Sequence, residues 1–250
     1  MQNLNTSTSA LPICEMYWLG RVAYQQGLDL QNEIAADLRA GKRHPVLLLM
    51  EHPHTYSFGR GGHPEHLLLT QEELAARGIS VHFVDRGGDV TYHGPGQLVG
   101  YPILQLPKDE AAETKLIFNS VGYLRKLEET LILALSRMGV KGQRRPGFTG
   151  VWVEMETNAP RKGSVLPFSG AKIASIGVRV DLSGITRHGF ALNIAPDQSY
   201  WQGIVPCGLE GVVMTSLADL LDTCPSLETV AGQVAEAFGE VMRFKMCRQG

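Results

Sequence analysis

Residues 86 to 103 read Arg86-Gly87-Gly88-Asp89-Val90-Thr91-Tyr92-His93-Gly94-Pro95-Gly96-Gln97-Leu98-Val99-Gly100-Tyr101-Pro102-Ile103. Gly and Pro fill five of the first eleven positions, so the backbone turns sharply and exposes its own N–H groups, and an apolar, strand-like run follows at once. This is a binding loop feeding a strand. Arg86, Asp89, Thr91, Tyr92 and His93 put more polar side chains on the loop than solubility requires. The competing reading is an ordinary glycine-rich turn, since a lone Gly-rich loop is a weak signal.

Working outward, Val46 to Met50 is a continuous apolar run of the kind found in strands buried on both faces. The segment Thr55 to Arg60 reads as a loop beyond that strand. Thr70 with Glu73 forms a capping box that opens a short helix ending near Gly78. Ser80 to Asp85 alternates as a strand, and Gln97 to Leu106 continues the loop as another. From Tyr17 to Ala40 the spacing of Val22, Leu28, Ile34, Ala35 and Leu38 predicts a helix, stopped by Gly41. Phe118 to Met138 is the clearest amphipathic helix, with Val121, Leu124, Leu127, Leu131 and Leu135 on its apolar stripe. Gly150 to Glu154, Ala171 to Val180 and Phe190 to Ile194 read as strands. Leu217 to Leu221 and Thr229 to Met242 read as closing helices. Strands mixed with helices, with hairpin-like strand pairs in the second half, predict an α+β or mixed α/β fold. With no internal repeat and no long linker, one domain is expected over residues 15 to 250, after a flexible tail at 1 to 14.

The bulk composition narrows the class of function. The 250 residues are 44% hydrophobic and 19% charged, typical of a soluble globular enzyme, and the net charge of −2 supplies no field to attract nucleic acid or an anionic membrane. An acidic partner would need a local patch, for which Lys141, Arg144 and Arg145, or Arg161 and Lys162, are the candidates against a solvated-loop reading. Cys14, Cys207, Cys224 and Cys247 show no CxxC pairing, which fits a reducing compartment rather than a disulfide or zinc framework. Residues 1 to 14 contain no Lys or Arg and no long apolar run, so a cytoplasmic protein without an export signal is expected. His52, His54, His63 and His66 lack an accompanying set of Cys or carboxylates at ligand spacing, and no metal site is predicted.

Two residues stand out as candidates for chemistry. Cys207 lies between Pro206 and Gly208, stiff on one side and permissive on the other, which suits a side chain presented at a tight turn. Taken alone it is either a packing cysteine or a nucleophile; a free thiol titrates near about 8.5 and needs a neighbouring cation to act at neutral pH. Lys172 sits in the small, apolar stretch Gly170 to Ala174, where burying a charge without a purpose is costly, although a lysine on an exposed strand face is the ordinary alternative.

The string from Arg86 to Pro102, together with Gly170-Ala171-Lys172-Ile173-Ala174-Ser175-Ile176-Gly177, His188-Gly189-Phe190-Ala191-Leu192-Asn193 and Pro206-Cys207-Gly208, resembles the lipoate-protein ligase B family of octanoyl-[acyl-carrier-protein]:protein N-octanoyltransferases. The resemblance covers roughly residues 15 to 222. It implies the biotin/lipoate protein ligase catalytic-domain fold, a mixed sheet flanked by helices. It implies that Cys207 is the acyl-accepting thiol and Lys172 its acid–base partner. Substrate would be bound by Arg86, Gly87, Gly88, Asp89, Val90, Thr91, Tyr92 and His93, by Ser175, Ile176 and Gly177, and by Gly189, Phe190 and Ala191.

The implied reaction moves an octanoyl (or lipoyl) group from acyl carrier protein to a lysine of a lipoyl domain, in 2-oxoacid dehydrogenase complexes or the glycine cleavage H protein, through a Cys207 thioester and without a cofactor. A monomer is the default. Burying an eight-carbon chain at roughly 0.8 kcal/mol per methylene supplies several kcal/mol for positioning. Val90, Tyr92, Ile176 and Phe190 are the candidate apolar lining, and Gly87, Gly88 or Gly208 the candidate oxyanion donors. His93 and His188 are alternative bases for Cys207 or structural histidines. The rival readings are an ATP-dependent lipoate or biotin ligase, which has no need of the thiol, a non-catalytic acyl-binding module, and a Cys-His hydrolase. One departure from the family pattern is the long connection Met155 to Ser169, read as a surface hairpin or flap.

Overall fold

The apolar run at Val46 is the spine of the protein. In the computed structural model, which describes residues 10–108, 118–154 and 170–249, the chain runs β1 (Ile13–Arg21), α1 (Tyr24–Arg39), β2 (Val46–Glu51), β3 (Thr55–Phe58), α2 (Gln71–Ala76), β4 (Ser80–Phe83), β5 (Val90–His93), β6 (Gln97–Ile103) and α3 (Ser120–Arg137). It continues as β7 (Gly142–Arg145), β8 (Phe148–Val153), β9 (Ala171–Val180), β10 (Thr186–Asn193), β11 (Val213–Met214), α4 (Leu217–Leu220), α5 (Leu227–Met242) and β12 (Lys245–Arg248). The main sheet is ordered β12-β1-β2-β6-β10-β9-β8-β7, with β11 paired to β9, and a separate small sheet is ordered β4-β3-β5.

Strand β2 is buried along its whole length because both faces of the main sheet are covered. Leu47 and Leu49 point to the side packed by α3 and α5, where Leu127, Leu131, Leu135, Val234 and Phe238 meet them. Val46, Leu48 and Met50 point to the opposite side, against Ile34 and Ala35 of α1. Strands β1, β2 and β12 pair in parallel, while β2, β6, β10, β9, β8 and β7 pair antiparallel, so the sheet is mixed as expected.

Several local expectations need correction. The segment from Tyr17 to Arg21 is strand, not helix: Met16 and Trp18 face one core while Tyr17 and Leu19 face the other, an alternation of period two. The helix starts only at Tyr24. The tail assigned to residues 1–14 is too long, since β1 begins at Ile13 and Pro12 O accepts from Lys245 N. Thr55 to Phe58 is strand β3, and the signature loop contains strand β5. In α3 the row that continues back from Leu127 passes through Tyr123, so Val121 is 65% exposed. The Thr70–Glu73 capping box is formed in both directions. The connection Met155 to Ser169, with Arg161 and Lys162, lies outside the described residues. No helix among the described residues is long and apolar enough to cross a membrane.

Strand β9 changes partners along its length. Residues 174 to 180 pair with β10, whereas Ala171 and Lys172 lie between β8 and β11. The small sheet packs through β5 against the turn Pro206–Gly208, and its own core is built by Tyr56, Phe58, Leu74, Ile79, Val90, Tyr92, Trp201 and Ile204.

Candidate active site

Cys207 occupies a 3₁₀ turn over Pro206–Gly208, closed by Gly208 N to Val205 O at 3.1 Å and Leu209 N to Pro206 O at 3.1 Å. Its φ is +58°, a left-handed conformation that costs a non-glycine residue about 1–3 kcal/mol and that persists where the surroundings over-determine it. Gly208 follows at φ +66°, and a Cβ there would lie 2.6 Å from Asp89 Oδ2, so the turn needs glycine at this position. Lys172 is 3% exposed, and its Nζ donates to Cys207 Sγ at 3.3 Å. The ammonium also lies 5.3 Å from the centroid of the Trp152 ring, a cation–π contact that offsets part of its lost hydration. Gly150, at φ +116°, makes room for this side chain.

The pair faces a cavity of about 360 Å³. Of the residues anticipated for substrate, Arg86, Gly87, Gly88, Asp89, Thr91, His93, Ser175, Ile176, Gly177, Gly189, Phe190 and Ala191 line it. Val90 and Tyr92 do not, which corrects their assignment as acyl lining: in a strand alternate side chains take opposite faces, and these two are fully buried in the core of the small sheet. The lining also includes Tyr24, Tyr101, Leu124, Phe148 and Leu209, which sequence reasoning did not assign to the site. Tyr101 lay inside the quoted signature. Tyr24 and Leu124 arrive from α1 and α3, and no local motif marks them.

One side of the cavity is built on a continuous hydrogen-bond chain. Arg86 is 7% exposed and donates to the Ser57 hydroxyl at 3.0 Å and to Gly87 O at 2.9 Å; burial pulls its pKa below the usual arginine value. Gln97 Nε2 donates to Tyr92 O and Asn193 Oδ1, which leaves Gln97 Oε1 to accept from His93 Nδ1 at 2.9 Å. His93 Nε2 therefore carries the lone pair and accepts from Ser57 Oγ at 3.1 Å. Both nitrogens are engaged, and burial holds this imidazole well below its ordinary pKa. His93 thus belongs to the scaffold of Arg86 and does not contact the thiol.

His188 breaks the regularity of β10 with φ +56°, and its N–H donates to the Gln31 amide oxygen at 2.6 Å. Its Nε2 donates to Asp85 Oδ1 at 2.9 Å. Burial pushes its pKa down to about 4 even though Asp85 opposes the shift, so the ring is neutral at pH 7 and Nδ1 is an acceptor. Thr91 Oγ1, Ser175 Oγ and His188 Nδ1 are buried on this cavity without a hydrogen-bond partner among the described residues. Of the three candidate oxyanion donors, Gly87 N is taken by Val178 O and Gly208 N by Val205 O. The Gly88 N–H has no acceptor among the described residues.

The remaining candidates sort as follows. No group of three or more His, Cys, Asp or Glu among the described residues could hold a metal ion. His52 Nδ1 donates to Val22 O, so its Nε2 accepts from the Tyr101 hydroxyl, and burial pushes this ring down to about 4. Arg144 is no free cation for an acidic partner, because it pairs with Glu128 and Glu129.

A half-buried thiol beside a buried amine lines a largely apolar cavity in a mixed sheet, and the fold is that of the lipoate-protein ligases. A bipartite lipoate protein ligase from Thermoplasma acidophilum superposes with a TM-score of 0.63 at 15% identity, covering 96% of this chain and 88% of its own. A lipoate-protein ligase A bound with ATP gives 0.61 at 16% identity, covering 94% and 89%. The chain belongs to the lipoyl protein ligase A/B catalytic domain family, whose model matches residues 23–239. Within that family it is similar to the octanoyltransferase of Chloroflexus aurantiacus, 43% identical over 90% of this chain and 92% of the relative, and to that of Acidobacterium capsulatum, 41% identical over 92% and 90%.

Proposed function

We propose that the protein transfers an octanoyl group from octanoyl-acyl carrier protein to a lysine of a lipoyl domain, by way of a thioester on Cys207. The single observation that carries this reading is the 3.3 Å contact of Lys172 Nζ with Cys207 Sγ on the wall of the 360 Å³ cavity. An adenylate-forming ligase on the same fold has no use for a thiol held in a strained turn beside a buried lysine.

In the first half-step the Cys207 sulfur attacks the thioester carbonyl. A C–S bond forms to the enzyme, the bond to the carrier's thiol breaks, and Lys172 passes the leaving sulfur its proton. In the second, the neutral acceptor amine attacks the acyl-enzyme, a C–N bond forms, Lys172 takes the proton the nitrogen loses, and the sulfur of Cys207 leaves and receives that proton. Each tetrahedral adduct carries an oxyanion, for which the unengaged Gly88 N–H is the donor we favour. Thioester exchange is nearly neutral in energy and amide formation runs downhill, so the cycle uses neither ATP nor a metal. Phe190, Ile176 and Leu124 take the apolar chain, and Thr91, Ser175 and His188 meet polar atoms of the substrate. The acceptors would be lipoyl domains of 2-oxoacid dehydrogenase complexes and the glycine cleavage H protein. We place the protein in the cytoplasm, as a monomer with one domain that begins with β1 at Ile13.

Intact-protein mass after incubation with octanoyl-acyl carrier protein tests the proposal. The wild type gains one octanoyl group, Cys207→Ser does not, and an unmodified lipoyl domain removes the group without ATP. Modification of the lipoyl domain only when ATP and free octanoate are supplied would overturn it in favour of a ligase.

A further inference from the structure

Beside the nucleophile's turn lies an imidazole–carboxylate pair that the Cys207–Lys172 chemistry does not use. His66 ends the 3₁₀ turn Pro64–His66, and its Nδ1 is hydrogen-bonded to Asp89 Oδ2. The other Asp89 oxygen accepts from the backbone N–H of Val90 at 2.6 Å and of His63 at 3.1 Å, so main-chain donors fix the carboxylate. A carboxylate that accepts at Nδ1 puts the ring proton there and leaves the lone pair on Nε2, the arrangement of an oriented general base.

Two observations tie this pair to the turn that carries the reacting sulfur. A Cβ on Gly208, the residue after the nucleophile, would stand 3.3 Å from His66 Cε1, the ring carbon between the two nitrogens. Val205 N donates to His66 O at 2.9 Å and Leu67 bridges to Ile204, so the main chains of the two turns are joined. The His66 side chain is 24% exposed, unlike the enclosed Lys172.

Proton balance gives such a group a task, on the reading proposed above. The acceptor lysine arrives as an ammonium with three protons, since its ordinary pKa is about 10.4, and leaves as an amide nitrogen with one. One of the two protons lost returns to the Cys207 sulfur, which Lys172 can deliver. The other must leave before the amine can attack, and it passes to solvent. We propose that His66, oriented by Asp89, takes this first proton from the acceptor lysine's ammonium through Nε2 and releases it to solvent. The enzyme then divides its acid–base work: Lys172 serves the sulfur and His66 serves the incoming amine.

Single-turnover kinetics separate this role from a structural one. Acylation of Cys207 by octanoyl-acyl carrier protein, transfer of the octanoyl group to a lipoyl domain, and transfer to hydroxylamine, which is neutral at pH 7, are measured for the wild type, His66→Gln and Asp89→Asn. His66→Gln is expected to slow transfer to the lipoyl domain about 100-fold more than it slows acylation or the hydroxylamine reaction, and the deficit shrinks as the pH is raised. Asp89→Asn shows the same selectivity to a smaller degree. All three rates falling together, or none falling, would overturn the assignment. A wild type that acquires no octanoyl group would overturn the transferase reading, and the assignment with it.

Discussion

Glu128 Oε1 accepts the backbone N–H of Gly150 at 3.1 Å, from a helix position with no side-chain exposure at all. The carboxylate also receives Arg125 and Arg144, so a buried charge on α3 fixes the residue at which β8 makes room for Lys172. Arg125 and Arg144 are partly exposed and can be re-solvated, so the main cost of losing Glu128 is the buried Gly150 N–H left without an acceptor, about 1–3 kcal/mol. Glu128→Ala should therefore lower unfolding stability by about that amount in urea titration, and Glu128→Gln by less, because the amide oxygen still accepts from Gly150.

Gly150→Ala should act on the amine rather than on the core. A Cβ there would meet Lys172 Cε at 2.7 Å and Ala174 O at 2.4 Å, at a backbone φ of +116°. We expect a loss of about 1–3 kcal/mol in stability. The displaced ammonium should also reduce the rate of Cys207 acylation at least tenfold, measured by mass spectrometry of quenched reactions.

The alternation along β5 predicts a separation of effects at adjacent positions. Val90→Ala removes methyl groups from a fully buried core site and should cost about 2 kcal/mol while leaving the KM for octanoyl-acyl carrier protein nearly unchanged. Thr91→Val, almost isosteric but on the cavity, should do the reverse: stability within about 1 kcal/mol and an altered KM.

Acid should destabilise the protein well above the carboxylate range. His52 and His188 each fall from 6.5 to about 4 on folding, chiefly through burial. The unfolded chain therefore binds more protons than the folded one between these values. The contribution is full above about pH 6.5 and is lost as pH falls towards 4, each histidine accounting for up to about 3 kcal/mol. Urea midpoints measured from pH 7.5 down to 4.5 should drop steeply, and His52→Gln should flatten that slope.

How far the sequence could be read follows from the range of the interactions involved. Strand β9 was legible to the residue, because Ala171 to Val180 is uninterrupted and bounded by Gly170. Cys207 and Lys172 were singled out through their motifs, and the structure places the two side chains in contact on one cavity. Strand β1 was misread because the helical stripe of Val22, Leu28, Ile34, Ala35 and Leu38 was extended back to Tyr17, whereas Met16 and Trp18 alternate with Tyr17 and Leu19 between two cores. Strand β12 gave no signal, since Lys245–Arg248 acquires its structure by pairing with Ile13–Met16 at the other end of the chain. The bond between His66 and Asp89 spans 23 residues, and that between Glu128 and Gly150 spans 22. No local pattern announces either.

The change of partners along β9 has a consequence for how the protein can be altered. Lys172 is moored where three strands meet, with its carbonyl accepting from Thr215 N at 3.0 Å, while Ile176 and Phe190 reach the cavity from the stretch of β9 beyond the fork and from β10. The Cys207–Lys172 contact and the residues proposed to take the acyl chain therefore draw on different stretches of β9. On the proposed function, substitutions at Ile176 or Phe190 should change the preferred chain length while the thiol and amine keep their spacing, so the acyl donor would be altered through the cavity walls alone.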